Sequence, residues 1–183
     1  MPIASVLPIV GILNVFHGFR GPDWGLSPVL SNLTRADTLK DHPFTEGMSE
    51  AQVEALAKLT TEVTFEEDEV VLVGGQHSAS FFLVMEGSVV VELSSKRYVM
   101  CVQSLTAGTV FGWSALLDKQ DTLFQVRARE RTTALEIDGA ALKRLCFEDP
   151  AMGTAILHRL LSVVAGRVKA TEMRFAEMCG VKV

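Results

Sequence analysis

The sequence has few of the residues that mark secreted or metal-binding proteins. Its three cysteines, Cys101, Cys146 and Cys179, are scattered along the 183 residues and form no CxxC pair. An odd number of isolated cysteines argues against a disulfide framework or a zinc site, and it predicts thiols in a reducing, cytoplasmic compartment. His77 has no second histidine at ligand spacing, so the alternative of a metal-dependent barrel enzyme is disfavoured and no metal site is expected.

Basic residues are also in short supply. The chain has 17 Lys and Arg against 22 Asp and Glu, a formal net charge of −5. Proteins that bind the nucleic-acid backbone are usually basic, so direct nucleic-acid binding is not expected. A small anionic ligand needs only a few local donors and is still allowed. No Ser/His/Asp or Cys/His constellation stands out, so we expect no catalytic residues, no cofactor and no enzyme activity.

The N-terminus, residues 1–33, is predicted to be an extension and linker. Residues 3–16 are mostly apolar but include Pro8 and Gly11, are too short to span a bilayer comfortably, and follow no Lys or Arg. An arm that packs on the body or on a partner is the preferred interpretation. Membrane association and a removed or misassigned start are the alternatives. Residues 18–31 contain two prolines and three glycines, a composition typical of an irregular linker.

The next segment, residues 34–150, is predicted to be one mainly β domain. Ser49 and Gln52 form a capping box for a short helix. From residue 62 to 137, short runs rich in Val, Thr and Phe alternate with turn signals. Many short, closely spaced strands predict an antiparallel sandwich or barrel. The candidate strands are Val63–Phe65, Val70–Val73, Phe81–Glu86, Val89–Leu93, Tyr98–Leu105, Val126–Ala128 and Thr133–Ile137.

Helices return at the end of the chain. Asp138 is placed to cap a helix that continues to Leu145, and Asp149-Pro150 is a start signal for a last helix that reaches about Met178. Residues 151–183 are therefore predicted to be a C-terminal dimer helix, because apolar residues recur on it at alternating spacings of four and three, as in a coiled-coil seam. A parallel homodimer is preferred over the alternative that this seam packs only on its own domain. The seam residues are Leu157, Leu161, Val164, Val168, Thr171, Phe175 and Met178.

The most informative motif is FGWSALL, Phe111–Leu117, which lies between two runs of β-type sequence. A glycine ends a strand, a small hydroxyl residue follows, and an apolar helical turn begins. Such a turn offers a phosphate close backbone approach, free N–H groups and the positive end of a helix dipole.

This motif and its neighbours resemble the cyclic-nucleotide-binding domains of catabolite-activator and fumarate-nitrate-regulator proteins. The resemblance covers about residues 39–178. It implies a double-stranded, jelly-roll-like antiparallel β-roll flanked by a short N-terminal helix and a long C-terminal dimerisation helix. It also implies a regulatory, cAMP-binding role in signal transduction. The supporting pieces are His42-Pro43-Phe44, Phe65 with Glu69-Val70-Val71, Gly75-Gln76, the hairpin Phe82–Val89, and Val126-Arg127-Ala128.

The resemblance also assigns candidate ligand residues and reveals two departures. The family's ribose-binding Glu is replaced by Trp113, its phosphate-binding Arg falls on Thr122, and Asp121 stands where a proline is common. Loss of two charge-assisted hydrogen bonds of roughly 1.5–3 kcal/mol each weakens binding by about 10²–10⁴-fold. The candidate cyclic-nucleotide residues are Phe111, Gly112, Trp113, Ser114, Ala115, Thr122, Leu123, Arg167 and Thr171.

Several of these residues have a second interpretation. Gly112 is expected to be structural with or without a ligand. Trp113 either stacks on a base or sugar or covers a vacated pocket, and Thr171 either contacts the base or sets the register of the dimer. Arg127, Arg129 and Arg131 alternate along one strand face, so they either replace the missing arginine or form a solvated face.

Two functional hypotheses follow. In the first, the domain binds a cyclic nucleotide and signals through its dimer helix to an unknown protein partner. In the second, it is a degenerate domain for dimerisation or protein interaction, with Trp113 and Leu123 filling the pocket. Related regulators carry a helix-turn-helix after the dimer helix, whereas this chain ends at Val183. We therefore expect that this chain alone does not read DNA sequence.

Overall fold

A computed structural model describes residues 35–95, 97–117 and 121–181. The predicted N-terminal extension, residues 1–33, lies outside these described residues, so the expectations for it stay predictions.

Capping residues set the starts of the helices. Residues 35–40 are helical, and a 3-10 turn follows at Pro43–Thr45. Helix α1, Glu50–Ala57, begins at the predicted capping box of Ser49 and Gln52. Helices α2, Gly139–Glu148, and α3, Pro150–Met178, begin after the side-chain caps of Asp138 and Asp149. The predicted helix starts are confirmed. The helical stretch at residues 35–40 was not predicted.

The described residues contain ten strands, and these form an antiparallel roll. One four-stranded sheet has the order β1-β10-β4-β7, a second has the order β2-β9-β5-β6, and β3 pairs with β8. The predicted β-roll fold class is confirmed. The strands are β1 Thr60–Phe65, β2 Val70–Leu72, β3 Gln76–His77, β4 Ser80–Glu86, β5 Ser88–Ser94, β6 Val99–Thr106, β7 Val110–Phe111, β8 Asp121–Thr122, β9 Gln125–Ala128 and β10 Thr132–Asp138.

The core has two parts because β4 is buried on both faces. Phe81 lies on the outer face of the first sheet and packs against the helices. Phe82, which points to the opposite face, packs between the two sheets. There it stacks on Phe111, with ring centroids 4.7 Å apart. This stack fixes the end of β7, from which the FGWSALL motif continues.

Helix α3 has two apolar faces. Its inner residues Met152, Ile156 and Leu160 are buried in the helical part of the core. On another face, the seam residues Leu157 and Leu161 are 62% and 67% exposed. None of the helices within the described residues is long and apolar enough to cross a membrane.

Candidate ligand-binding site

Gly112 sets the geometry of the FGWSALL turn. Its φ is 77°, in the left-handed region, and a Cβ at this position would lie only 2.4 Å from the Ser80 carbonyl oxygen. Both the backbone angle and the close approach to β4 therefore require glycine. These requirements arise within the chain itself, in agreement with a structural role that does not depend on a ligand.

The turn after Gly112 is anchored on helix α2. A 3-10 turn runs over Trp113–Leu116, and the first N–H groups of such a turn have no partner within it. Ala115 is buried, and a Cβ added at Gly139 of α2 would lie 2.7 Å from the Ala115 Cβ. Ala115 was predicted as a ligand residue, but it packs against α2 and does not line the adjacent cavity.

A cavity of about 180 Å³ lies between this turn, the second sheet and helix α3. It brings together seven of the nine predicted site residues: Phe111, Gly112, Trp113, Ser114, Thr122, Leu123 and Arg167. Sequence reasoning missed most of the apolar wall, formed by Leu72, Val91, Phe124 and Val126, and also Asp121 as a lining residue. The site is thus an apolar cavity with a few polar groups at its edges.

We call residues 111–124, which begin with the FGWSALL motif, the cassette. Its trailing part, Asp121–Phe124, offers little to an anion. Thr122 lines the cavity, but its hydroxyl donates to the Phe124 carbonyl at 3.1 Å and accepts from the Phe124 N–H at 3.3 Å. Leu123 is 68% exposed. The expectation that Leu123 fills the pocket in a degenerate domain therefore does not agree with the structure.

Among the described residues that line the cavity, Arg167 is the cation. It reaches the cavity from α3, and its side-chain atom Nη1 is buried with no hydrogen-bond partner among the described residues. Burial lowers the pKa of this guanidinium. Because arginine ionises far above neutral pH, the group still carries its charge. A half-buried cation with a buried, unsatisfied N–H favours an anionic ligand.

The three arginines expected on one strand face do not replace the missing cassette arginine. Only Arg127 lies in a strand, β9, because Arg129 and Arg131 follow in the turn before β10. Arg127 Nε bonds Glu92 Oε1 at 2.9 Å, and its Nη1 donates to the Asp68 carbonyl at 3.0 Å. Arg131 lies 3.6 Å from Glu66 and both side chains are exposed. Neither Arg127, Arg129 nor Arg131 lines the cavity. The solvated-face interpretation fits Arg129 and Arg131, whereas Arg127 is half-buried by its pairing with Glu92.

Thr171 is not brought to the cavity within one chain. It is exposed, and its hydroxyl donates to the Arg167 carbonyl one turn earlier on α3 at 2.9 Å. A base contact by Thr171 therefore stays a prediction.

Comparison with known proteins identifies this arrangement. Residues 62–149 match the family model of the cyclic nucleotide-binding domain. The β-roll belongs to the cyclic nucleotide-binding domain family. An HTH-type transcriptional regulator, Cmr of Mycobacterium tuberculosis, is 31% identical over 128 residues, which cover 70% of this chain and 51% of the regulator. The chain thus spans about half the length of this curated relative.

Solved structures of cyclic nucleotide-binding domains share the fold. One from Methylobacillus flagellatus superposes with a TM-score of 0.68 at 18% identity, covering 80% of this chain and 83% of that one. The regulatory subunit of a cAMP-independent protein kinase A from Trypanosoma brucei superposes with a TM-score of 0.65 at 16% identity, covering 83% of this chain and 53% of that one. At these identities the likeness concerns the fold alone.

Proposed function

We propose that this cyclic nucleotide-binding domain is a non-enzymatic regulatory module. A cyclic nucleotide of the cAMP type binds in the cavity between the FGWSALL turn and α3, and the signal passes through an α3-mediated homodimer to a protein partner in the cytoplasm. The observation that carries the proposal is the buried, unpaired Nη1 of Arg167 beside that cavity.

Arg167 supplies a positive charge, which the cassette lacks at residue 122. With Trp113 and Thr122 at the two positions of the charged family residues, the cavity lining has Arg167 as its cation and Asp121 as its carboxylate. A guanidinium forms charge-assisted hydrogen bonds with phosphate that are about twice as strong as neutral ones, and Arg167 is half-buried. The cyclic phosphate is therefore expected to contact α3 directly as well as the N–H groups of the turn.

The size of the cavity limits the expected affinity. Ligand sites usually measure about 300–1,000 Å³, whereas this one measures about 180 Å³. A nucleotide therefore enters only if Trp113, which packs partly against the helical core, or the exposed Leu123 moves. The free energy of that movement reduces binding, and we expect dissociation constants in the high-micromolar to millimolar range.

The signalling step rests on the position of α3. This helix carries Arg167 on the cavity and, on another face, the exposed seam residues Leu161, Val168 and Phe175. At about 1.5 Å per residue its 29 residues extend for about 43 Å. A ligand that holds Arg167 shifts the population of helix positions and with it the packing of the seam.

Calorimetric titration of the full chain with cAMP and cGMP tests the ligand. Heat of binding together with a raised melting temperature at saturating ligand supports the proposal. Absence of both at millimolar nucleotide contradicts it.

Mass measurement in solution tests the dimer. Val164→Glu combined with Val168→Glu places like charges on the seam, and we expect a monomer with an unchanged circular dichroism spectrum. Lys169→Glu combined with Met173→Glu changes residues off the seam and is the control, expected to stay dimeric. A retained dimer in the seam variant refutes the interface.

A degenerate domain that binds no nucleotide is the second candidate. One observation favours it: Trp113 and Thr122 stand at the positions of the charged partners. The open cavity and the exposed Leu123 count against it. In that case the dimer experiment succeeds and both nucleotide titrations fail.

A further inference from the structure

A second cavity lies on the other side of Arg167. It measures about 310 Å³ and separates α3 from β6 and from the 3-10 turn at Pro43–Thr45. Its wall combines the apolar side chains of Phe44, Leu105 and Val163 with the polar side chains of Gln103 and Arg167. Arg167 is the residue that it shares with the first cavity.

Gly166 lines this cavity at an exposed position of α3. It lies two residues from each of the seam residues Val164 and Val168, so at 100° per residue it points about 160° away from both. A Cβ at Gly166 would meet no atom of the described residues within 4 Å, whereas a Cβ at Gly153 of the same helix would lie 2.5 Å from the Cys146 carbonyl oxygen. Glycine is unfavourable within a helix, and contacts within the chain do not require it here. Neither the described contacts nor the dimer seam accounts for it.

Two buried polar atoms at this cavity lack partners. Gln103 Oε1, an acceptor, and Arg167 Nη1, a donor, have no hydrogen bond to any of the described residues. Arg159 also lines the cavity, but its guanidinium lies 3.6 Å from Glu46 Oε2. Buried polar groups in native proteins are nearly always satisfied. A molecule with one acceptor and one donor, suitably spaced, would satisfy both atoms.

We propose that this second cavity binds a small organic acid. Its carboxylate pairs with Arg167, a hydroxyl or amine N–H donates to Gln103 Oε1, and an apolar body packs against Phe44, Leu105 and Val163. Both proposals use Arg167, so a nucleotide in the first cavity would compete with the acid for its guanidinium. Gln103 and Gly166 line the second cavity and not the first, so changes at these two positions test the second proposal separately.

Three related probes separate the contributions of the carboxylate and the hydroxyl to binding. Phenyllactate carries the carboxylate, the hydroxyl and an apolar ring; 3-phenylpropionate lacks the hydroxyl; and 3-phenylpropane-1,2-diol lacks the charge. Binding to the full chain is followed by the NMR shifts of the Gly166 and Val163 amides and the Gln103 side-chain amide. We expect phenyllactate to bind at millimolar concentration and the diol to bind at least about tenfold more weakly, because it loses a charge-assisted hydrogen bond.

Two positions provide matched variants. Gly166→Leu places a side chain in the open space and is expected to abolish the shifts, while Gly166→Ala gains the same helix propensity, fills little of the cavity and retains them. Gln103→Leu removes the acceptor at similar shape, so phenyllactate and phenylpropionate are expected to bind it equally. The proposal is overturned if phenyllactate causes no shifts in the wild type, if Gly166→Leu binds it as well as Gly166→Ala does, or if the diol binds as tightly as the acid.

Discussion

The two halves of the cassette differ in what determines them. The leading half, Phe111–Leu116, is fixed by contacts with its own chain: the Phe111 stack on Phe82, the approach of Gly112 to Ser80, and the packing of Ala115 on α2. The trailing half, Asp121–Phe124, is held mainly by the short β3–β8 pair and the local hydrogen bonds of Thr122. It contains an exposed Leu123.

The shape of the cassette and its charge therefore have different origins. The shape of the leading half is part of the core, so it is retained whether or not a ligand binds. The positive charge that the family carries in the trailing half has no such structural support, and here Thr122 stands at its position. The cavity obtains its cation from α3 instead, through Arg167. A family motif can therefore identify the fold correctly while its ligand chemistry has changed.

Breaking the leading half is expected to have the largest effect. Gly112→Ala forces an alanine into the left-handed region and its Cβ against the Ser80 carbonyl oxygen, and it is expected to lower the free energy of unfolding by about 2–5 kcal/mol. Gly166→Ala, a glycine replacement in open space on a helix, is the control and should raise that free energy by up to about 1 kcal/mol. Denaturant unfolding measures both. Equal effects at the two glycines would contradict the steric account.

Restoring the charge of the trailing half gives an effect of intermediate size. Thr122→Arg puts a guanidinium at the position of the family arginine, and we expect cAMP to bind at least about tenfold more tightly, from a charge-assisted hydrogen bond of about 1.5 kcal/mol or more. Thr122→Met has similar length without the charge and shows what loss of the Thr122 turn hydrogen bonds does by itself. Isothermal titration of the two variants compares them directly. Equal affinities would show that the phosphate does not lie beside residue 122.

The smallest expected effect is on stability, and it comes from the ionisation of His42, which lies beside the strands that hold the leading half. Burial lowers the pKa of His42 below its ordinary 6.5. The nearby backbone carbonyls of Val84, in β4, and of Thr109, just before β7, partly offset this lowering. The folded protein therefore holds the neutral imidazole, whose Nδ1 accepts from the Phe44 N–H at 3.1 Å. The unfolded chain takes up the proton more readily, so this contribution to stability is complete above pH 6.5 and is lost as the pH falls below it.

Unfolding measured across this pH range tests the His42 prediction. His42→Gln keeps a side-chain oxygen acceptor and removes the titration, so its stability is expected to fall less between neutral pH and pH 5. Parallel curves for the wild type and the variant would exclude His42 as the cause.

The sequence was sufficient to predict the fold but only part of the site. Caps such as Ser49–Gln52 and the short apolar runs of β4 and β5 are local signals, and they placed most helices and strands. The two-residue strands β3, β7 and β8 are too short for periodicity to be detected, and they form because tertiary contacts pair them. The wall residues Leu72, Val91 and Val126 belong to the same apolar cluster that fills the space between the two sheets. Their proximity to Arg167 of α3 depends on tertiary packing, for which the local sequence carries no signal.

The central claim is that Arg167 of α3 supplies the positive charge that is missing at residue 122 of the cassette. The most direct test is the dissociation constant of cAMP for the wild type and for Arg167→Met, with Arg174→Met as control because Arg174 lies on the same helix and pairs with Glu177 at 2.8 Å. We predict that Arg167→Met weakens binding by about tenfold or more while Arg174→Met leaves it unchanged. Wild-type affinity in Arg167→Met, or an equal loss in both variants, would contradict the claim.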